Sequence, residues 1–204
     1  MINKLRSEWL IHSSYQRDVR PVFRWMRWDI PLRVMPMTII PIGLVMLSFQ
    51  SADDLGLVIV NHNSWWLITA VLIVPVFSTA FLFSLRYISG YGFSKGALAL
   101  ELPFYLILNP IAEEVFFRGL LLHLLNDYFG IGVSVAIVSV IFGFHHWIAG
   151  FSMKFLLLAT IGGLVFGVVA MLSGSILPAI ILHSVADLGL FVFGPLYSRR
   201  GKPL

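Results

Sequence analysis

Two adjacent glutamates and an arginine, Glu113, Glu114 and Arg118, fall within six residues of one another in the otherwise mostly apolar stretch NPIAEEVFFRGLLLHLL. Further along, His145 and His146 end the stretch SVIFGFHH, and His183 and Asp187 stand four apart in ILPAIILHSVADLGL. Side chains of these types move protons, orient water or hold a metal ion. On a helix Glu114 and Arg118 share one face, which predicts a buried ion pair. Glu113 lies about 100° further round and is left out of that pair. One reading makes it a second structural hydrogen-bond partner. The other makes it a carboxylate in a dry pocket able to take a proton from water, beside a neighbour pinned as an anion. His145 and His146 also point about 100° apart, so only one of them is expected to face Glu113 readily. The pair His183 and Asp187 could be structural, a proton relay or half of a catalytic site. Glu101 and His123 are the other polar candidates in apolar runs. The helix-borne His-Glu-x-x-His zinc motif is absent, as are cysteine and a serine elbow. What remains is water activated by carboxylate and imidazole, with or without a metal.

The elements that must position these groups are apolar to an extent that excludes a soluble core. Of 204 residues, 58% are hydrophobic and 12% charged, with a mean hydropathy of +0.89. A soluble domain carries roughly 45–50% apolar and about 25% charged residues. The apolar runs do not alternate, which argues against a β-barrel. The composition therefore predicts an all-α, polytopic membrane bundle of about six spans, near 34–50, 65–85, 96–125, 131–149, 155–172 and 175–196. Residues 1–33, which mix seven Lys and Arg with Trp9, Phe23, Trp25 and Trp28, read as a basic, aromatic interfacial segment. Residues 197–204 read as a basic tail, and no cleavable signal peptide is visible. The third span is too long for a plain crossing, and Asn109-Pro110 in its middle predicts a helix cap and a kink. Of the 14 Lys and Arg, all but Arg118 fall in segments that are inside if both termini are cytoplasmic. That distribution explains the net charge of +4 through topology and leaves no call for a nucleic-acid partner. Gly163 and Gly167 form a small-xxx-small pair suited to close packing of another helix within the chain.

Three patterns in order, each on its own span, carry a resemblance. They are Glu113-Glu114-x-x-x-Arg118, Phe142-x-x-x-His146 and His183-x-x-x-Asp187. In this, over residues 100–190, the chain resembles the CAAX-protease and bacteriocin-processing group of intramembrane endopeptidases, relatives of the type II prenyl-protein protease. The resemblance selects His146 over His145. It implies that Glu113 and His146 hold and deprotonate the attacking water and that Glu114, Arg118 and Phe142 support the site. It further implies that His183 and residue 187 stabilise the oxyanion. Position 187 is Asn in the prenyl-protein protease and Asp here, and an ionised Asp accepts hydrogen bonds rather than donating them. Asp187 is therefore expected to orient His183, or to donate to the oxyanion only in its protonated form.

The expected function is hydrolysis of a peptide bond in a membrane-associated protein or peptide, in a multi-pass protein of a prokaryotic cytoplasmic membrane. The mechanism is expected to be metal-free and of glutamic type. Zinc is the alternative, with Glu113, His146, His183 and Asp187 as its ligands. Two other classes remain open: a non-catalytic member conferring immunity to a bacteriocin, and a small transporter or proton pathway.

Overall fold

The computed structural model describes residues 29–47, 56–58, 63–88, 95–149 and 151–198, and among these there is no strand. Helix α1 (Met35–Leu47) is led in by a π-helical turn, Ile30–Val34. Helix α2 is Asn63–Tyr87. Helix α3 (Lys95–Pro103) runs through a π turn, Phe104–Leu108, into α4 (Asn109–Glu114). A second π turn, Val115–Leu121, leads to α5 (Leu122–Ile148). Then come α6 (Met153–Ser173) and α7 (Leu177–Asp187), a last π turn, Leu188–Phe193, and α8 (Gly194–Ser198).

Five runs among the described residues are long and apolar enough to cross a membrane: Ile30–Leu47, Ser64–Tyr87, Ala99–Ile148, Met153–Ser173 and Leu177–Tyr197. The sequence predicts about six, and the difference lies in Ala99–Ile148, whose 50 residues form one run. At about 1.5 Å per residue such a run is more than twice the roughly 30 Å of bilayer hydrocarbon. It is not straight. Gly130 sits at φ 73° and ψ 166°, a conformation that glycine alone adopts at little cost, and it divides residues 122–129 from 131–148. The loop expected at 126–130 thus shrinks to one residue.

The helix is not broken at Asn109-Pro110, and no cap forms there. Asn109 has helical angles (φ −66°, ψ −52°), and its side chain bonds Arg33 and Asp187 rather than a helix end. The π turn just before it absorbs the proline. Pro110 has no N–H for the carbonyl four residues back, that of Leu106, and the Ser184 hydroxyl donates to that oxygen at 2.8 Å.

Helix α5 packs along α6, while α2 packs on α7 and the π turn after it. Gly163 and Gly167 serve the first contact: a Cβ at Gly163 would stand 3.0 Å from Ser139 Cα, and one at Gly167 would stand 3.2 Å from Val135 Cγ1. This is intramolecular close packing, as the small-xxx-small pair predicts. Ser84 Oγ donates to Leu190 O at 2.6 Å, taking up a carbonyl in the last π turn. Helix α6 starts at Ser152, whose Oγ accepts from Phe155 N, and ends at Gly174 with φ 67°. The outer faces of α2, α5 and α6 expose Leu67, Val71, Ile141, Phe144, Leu157 and Ile161. Charged and polar side chains are found inside: Asp29, Glu101, Asn109, Glu113, Glu114, Arg118, His183 and Asp187 are all buried. Apolar outside and charged within is the arrangement that lipid demands. This is an integral membrane protein.

Candidate active site

Four elements supply the site residues that the sequence singles out. Glu113 and Glu114 end α4, Arg118 lies in the following π turn, His145 and His146 close α5, and His183 and Asp187 belong to α7. Arg118 Nη1 donates to Glu114 Oε1 at 2.8 Å, and neither side chain is exposed to solvent. The expected ion pair therefore forms. Arg118 Nη2 also donates to Gly163 O at 3.2 Å, and its guanidinium lies over the Phe142 ring at 4.5 Å from the centroid. Phe142 is thus a floor for Arg118, and its edge also meets the rings of His146 and His183. Phe166 stacks on the His183 ring at 5.3 Å.

Glu114 Oε1 has a second partner. His183 Nδ1 lies 2.7 Å from it, so Glu114 orients His183. That role was expected of Asp187. Asp187 Oδ1 instead lies 3.7 Å from the opposite ring nitrogen, Nε2, too far for a direct bond. Its Oδ2 accepts from Asn109 Nδ2 at 2.9 Å. The helical spacing of His183 and Asp187 brings the two side chains near each other, but the imidazole turns its donor to the carboxylate already paired with Arg118.

Glu113 is not left without an ionic partner, contrary to its place outside the Glu114 pair. Arg33 Nη1 donates to its Oε1 at 2.5 Å, and Asp29 holds the same guanidinium from Nε and Nη2 at 2.7 and 2.6 Å. Arg33 thus bonds directly into this cluster, and residues 1–28 of the basic, aromatic segment that it ends lie outside the described residues. Oε2 of Glu113 is buried without a hydrogen-bond partner. It faces His146 Nε2 at 3.8 Å and His183 Nε2 at 3.7 Å. Both separations exceed direct hydrogen-bonding distance. His146 Nδ1 lies 2.8 Å from Phe142 O; a carbonyl only accepts, so Nδ1 carries hydrogen and Nε2 presents a lone pair. His145 is nearer to Glu113 than the two-way geometry suggested, but it approaches the Arg33-bound oxygen, Oε1, at 4.0 Å.

A cavity of about 230 Å³ leads to this cluster between α2, α6 and α7. Its walls are apolar, from Leu72, Val76, Ile161 and Val165 among others, and His146, His183 and Asp187 stand in its lining.

Residues 95–189 match the family described as type II CAAX prenyl endopeptidase, Rce1-like. Over this segment the chain is similar to that family. The Rce1-like segment contains Glu113, Glu114, Arg118, Phe142, His146, His183 and Asp187, whereas Asp29 and Arg33 precede it. No curated protein and no solved structure matches the chain significantly.

Among the described residues no group of three or more His, Cys, Asp or Glu is placed to hold a metal ion. One oxygen of Glu113 is bound to a guanidinium, whose charge opposes a dication on the same carboxylate. Sequence reasoning missed Arg33, Asp29 and Asn109 as site residues. The signal available for the first two was their i, i+4 spacing at the head of an apolar run; Asn109 beside Pro110 gave the stronger signal of a cap.

Proposed function

We propose that this protein is an intramembrane endopeptidase that hydrolyses a peptide bond near the end of a membrane-associated substrate by water activated between Glu113 and His146. The observation that carries the reading is the buried, unpartnered Glu113 Oε2 facing the lone pair of His146 Nε2 across 3.8 Å. Two acceptors so placed suit a water that donates both its hydrogens and turns its own lone pair toward the apolar cavity. On attack at a carbonyl there, one water proton passes to the Glu113–His146 pair, from which it is available to the leaving amine. His183 donates Nδ1–H to Glu114, and as an imidazolium it would donate from Nε2 to the developing oxyanion. Asp187, accepting from Asn109, sets the far wall. This chemistry asks nothing of a metal, and the ion pair of Glu113 with Arg33 favours the metal-free form over zinc.

Family resemblance and cavity together support one substrate class: a polypeptide whose tail is held in lipid, with an acyl or prenyl chain or an apolar segment suited to the apolar walls. The test is an internally quenched peptide with a farnesylated cysteine three residues from its C-terminus, offered to the purified protein in nanodiscs. Cleavage next to the modified cysteine, resistant to chelator, is expected. Metal-dependent cleavage, or uptake of the peptide without hydrolysis, would contradict the proposal.

A further inference from the structure

Arg33 reaches Glu113 across 80 residues of sequence, from an element that precedes the Rce1-like segment. We propose that Arg33 is a positioning residue of the active site: it clamps Oε1 of Glu113 so that Oε2 stays turned to the two imidazoles. The helix beginning at Ile30 is then a working part of the catalytic unit. The inference rests on the proposed role of Glu113 as acceptor of the water proton.

A glutamate side chain ends in a soft torsion, so nothing intrinsic decides which oxygen points where. Here the decision is made by neighbours. The guanidinium is itself held in plane by a two-point contact with Asp29, Nε to Oδ1 and Nη2 to Oδ2. With that plane fixed, Nη1 is aimed at Glu113 Oε1 and Nη2 at Asn109 Oδ1 at 2.7 Å. Asn109 passes the constraint on, donating from Nδ2 to Asp187 at 2.9 Å. One arginine thus sets the facing of Glu113 directly and of Asp187 through a single amide. A cation serving only membrane orientation needs neither burial nor partners. The Arg33 side chain is 11% exposed and bonds three residues.

The test compares wild type with R33M, R33K and E113Q in nanodiscs, using the farnesylated quenched peptide and a thermal melt of each protein. The carboxylate infrared band of Glu113 is isolated by subtracting the spectrum of the matching E113Q form. In R33M, kcat should fall about 100-fold, the scale of a misplaced catalytic group, with KM changed little. The Glu113 band should move, and R33K, which keeps charge but not the fork, should lie between. If E113Q is inactive while R33M keeps or exceeds the wild-type kcat, Arg33 does not position the base and the inference falls, though the function reading stands. If E113Q keeps the wild-type rate, the function reading fails, and an unmoved Glu113 band in R33M would separately refute the clamp. Should R33M not fold, wild-type kcat and an unmoved band in R33K would overturn the proposal.

Discussion

Glu113 has two oxygens with different neighbours, and the account at residue scale turns on that asymmetry. Oε1 belongs to Arg33, with His145 behind it, while Oε2 belongs to the slot between His146 and His183. The two adjacent histidines are therefore unequal despite similar distances to the same carboxylate. His146→Ala should reduce kcat by roughly 10²–10⁴-fold, the range for loss of a general base, whereas His145→Ala should cost less than about tenfold. Single-turnover cleavage of the farnesylated peptide by both variants checks this, and equal losses would remove the distinction. Much of this cluster was legible because charge inside an apolar run has to be paid for, which singled out Glu113, Glu114, Arg118, His183 and Asp187. Arg33 was not legible on that ground. It is one of seven cations in residues 1–33, and only tertiary contact separates it from the rest. The partner of His183 was hidden for a similar reason: spacing puts Asp187 nearby but does not say which ring nitrogen it meets.

At the scale of elements, helix contacts are made by glycine and kinks are absorbed by π turns. The line from Arg118 to Gly163 O needs α6 close to α5, and Gly163 permits this by having no side chain against Ser139. Gly163→Val should destabilise the fold by roughly 1–3 kcal/mol through overpacking and lower the melting temperature in detergent. An unchanged melt would mean that the α5–α6 contact is looser than described. The small-xxx-small spacing announced this contact. The π turns were not announced, because their i→i+5 bonding leaves no residue signature comparable to a proline or a cap. Pro110 pointed to a break, yet the turn before it and the Ser184 hydroxyl accommodate it without one.

At the scale of the molecule, the described residues form an apolar shell around a polar centre, with a cavity that reaches that centre from the side of α2 and α6. Helicity and membrane character were readable from composition alone. The number of crossings was less so, since it depends on whether Ala99–Ile148 turns back at Gly130. Reading it as two crossings gives six, with both ends on the side where the Lys and Arg lie. The chain has no cysteine, so single substitutions report cleanly. Lys4→Cys and Lys202→Cys should be labelled by an impermeant thiol reagent from the cytoplasmic face only, and Tyr128→Cys from the opposite face. Labelling of positions 4 and 202 from opposite faces would establish an odd number of crossings. The most direct measurement of the central claim is cleavage of the farnesylated peptide in H₂¹⁸O by wild type and by Glu113→Gln. One ¹⁸O in the newly formed carboxyl group with wild type, and a rate at least about 10²-fold lower with the variant, is expected. A Glu113→Gln protein that cuts the peptide at the wild-type rate would contradict it.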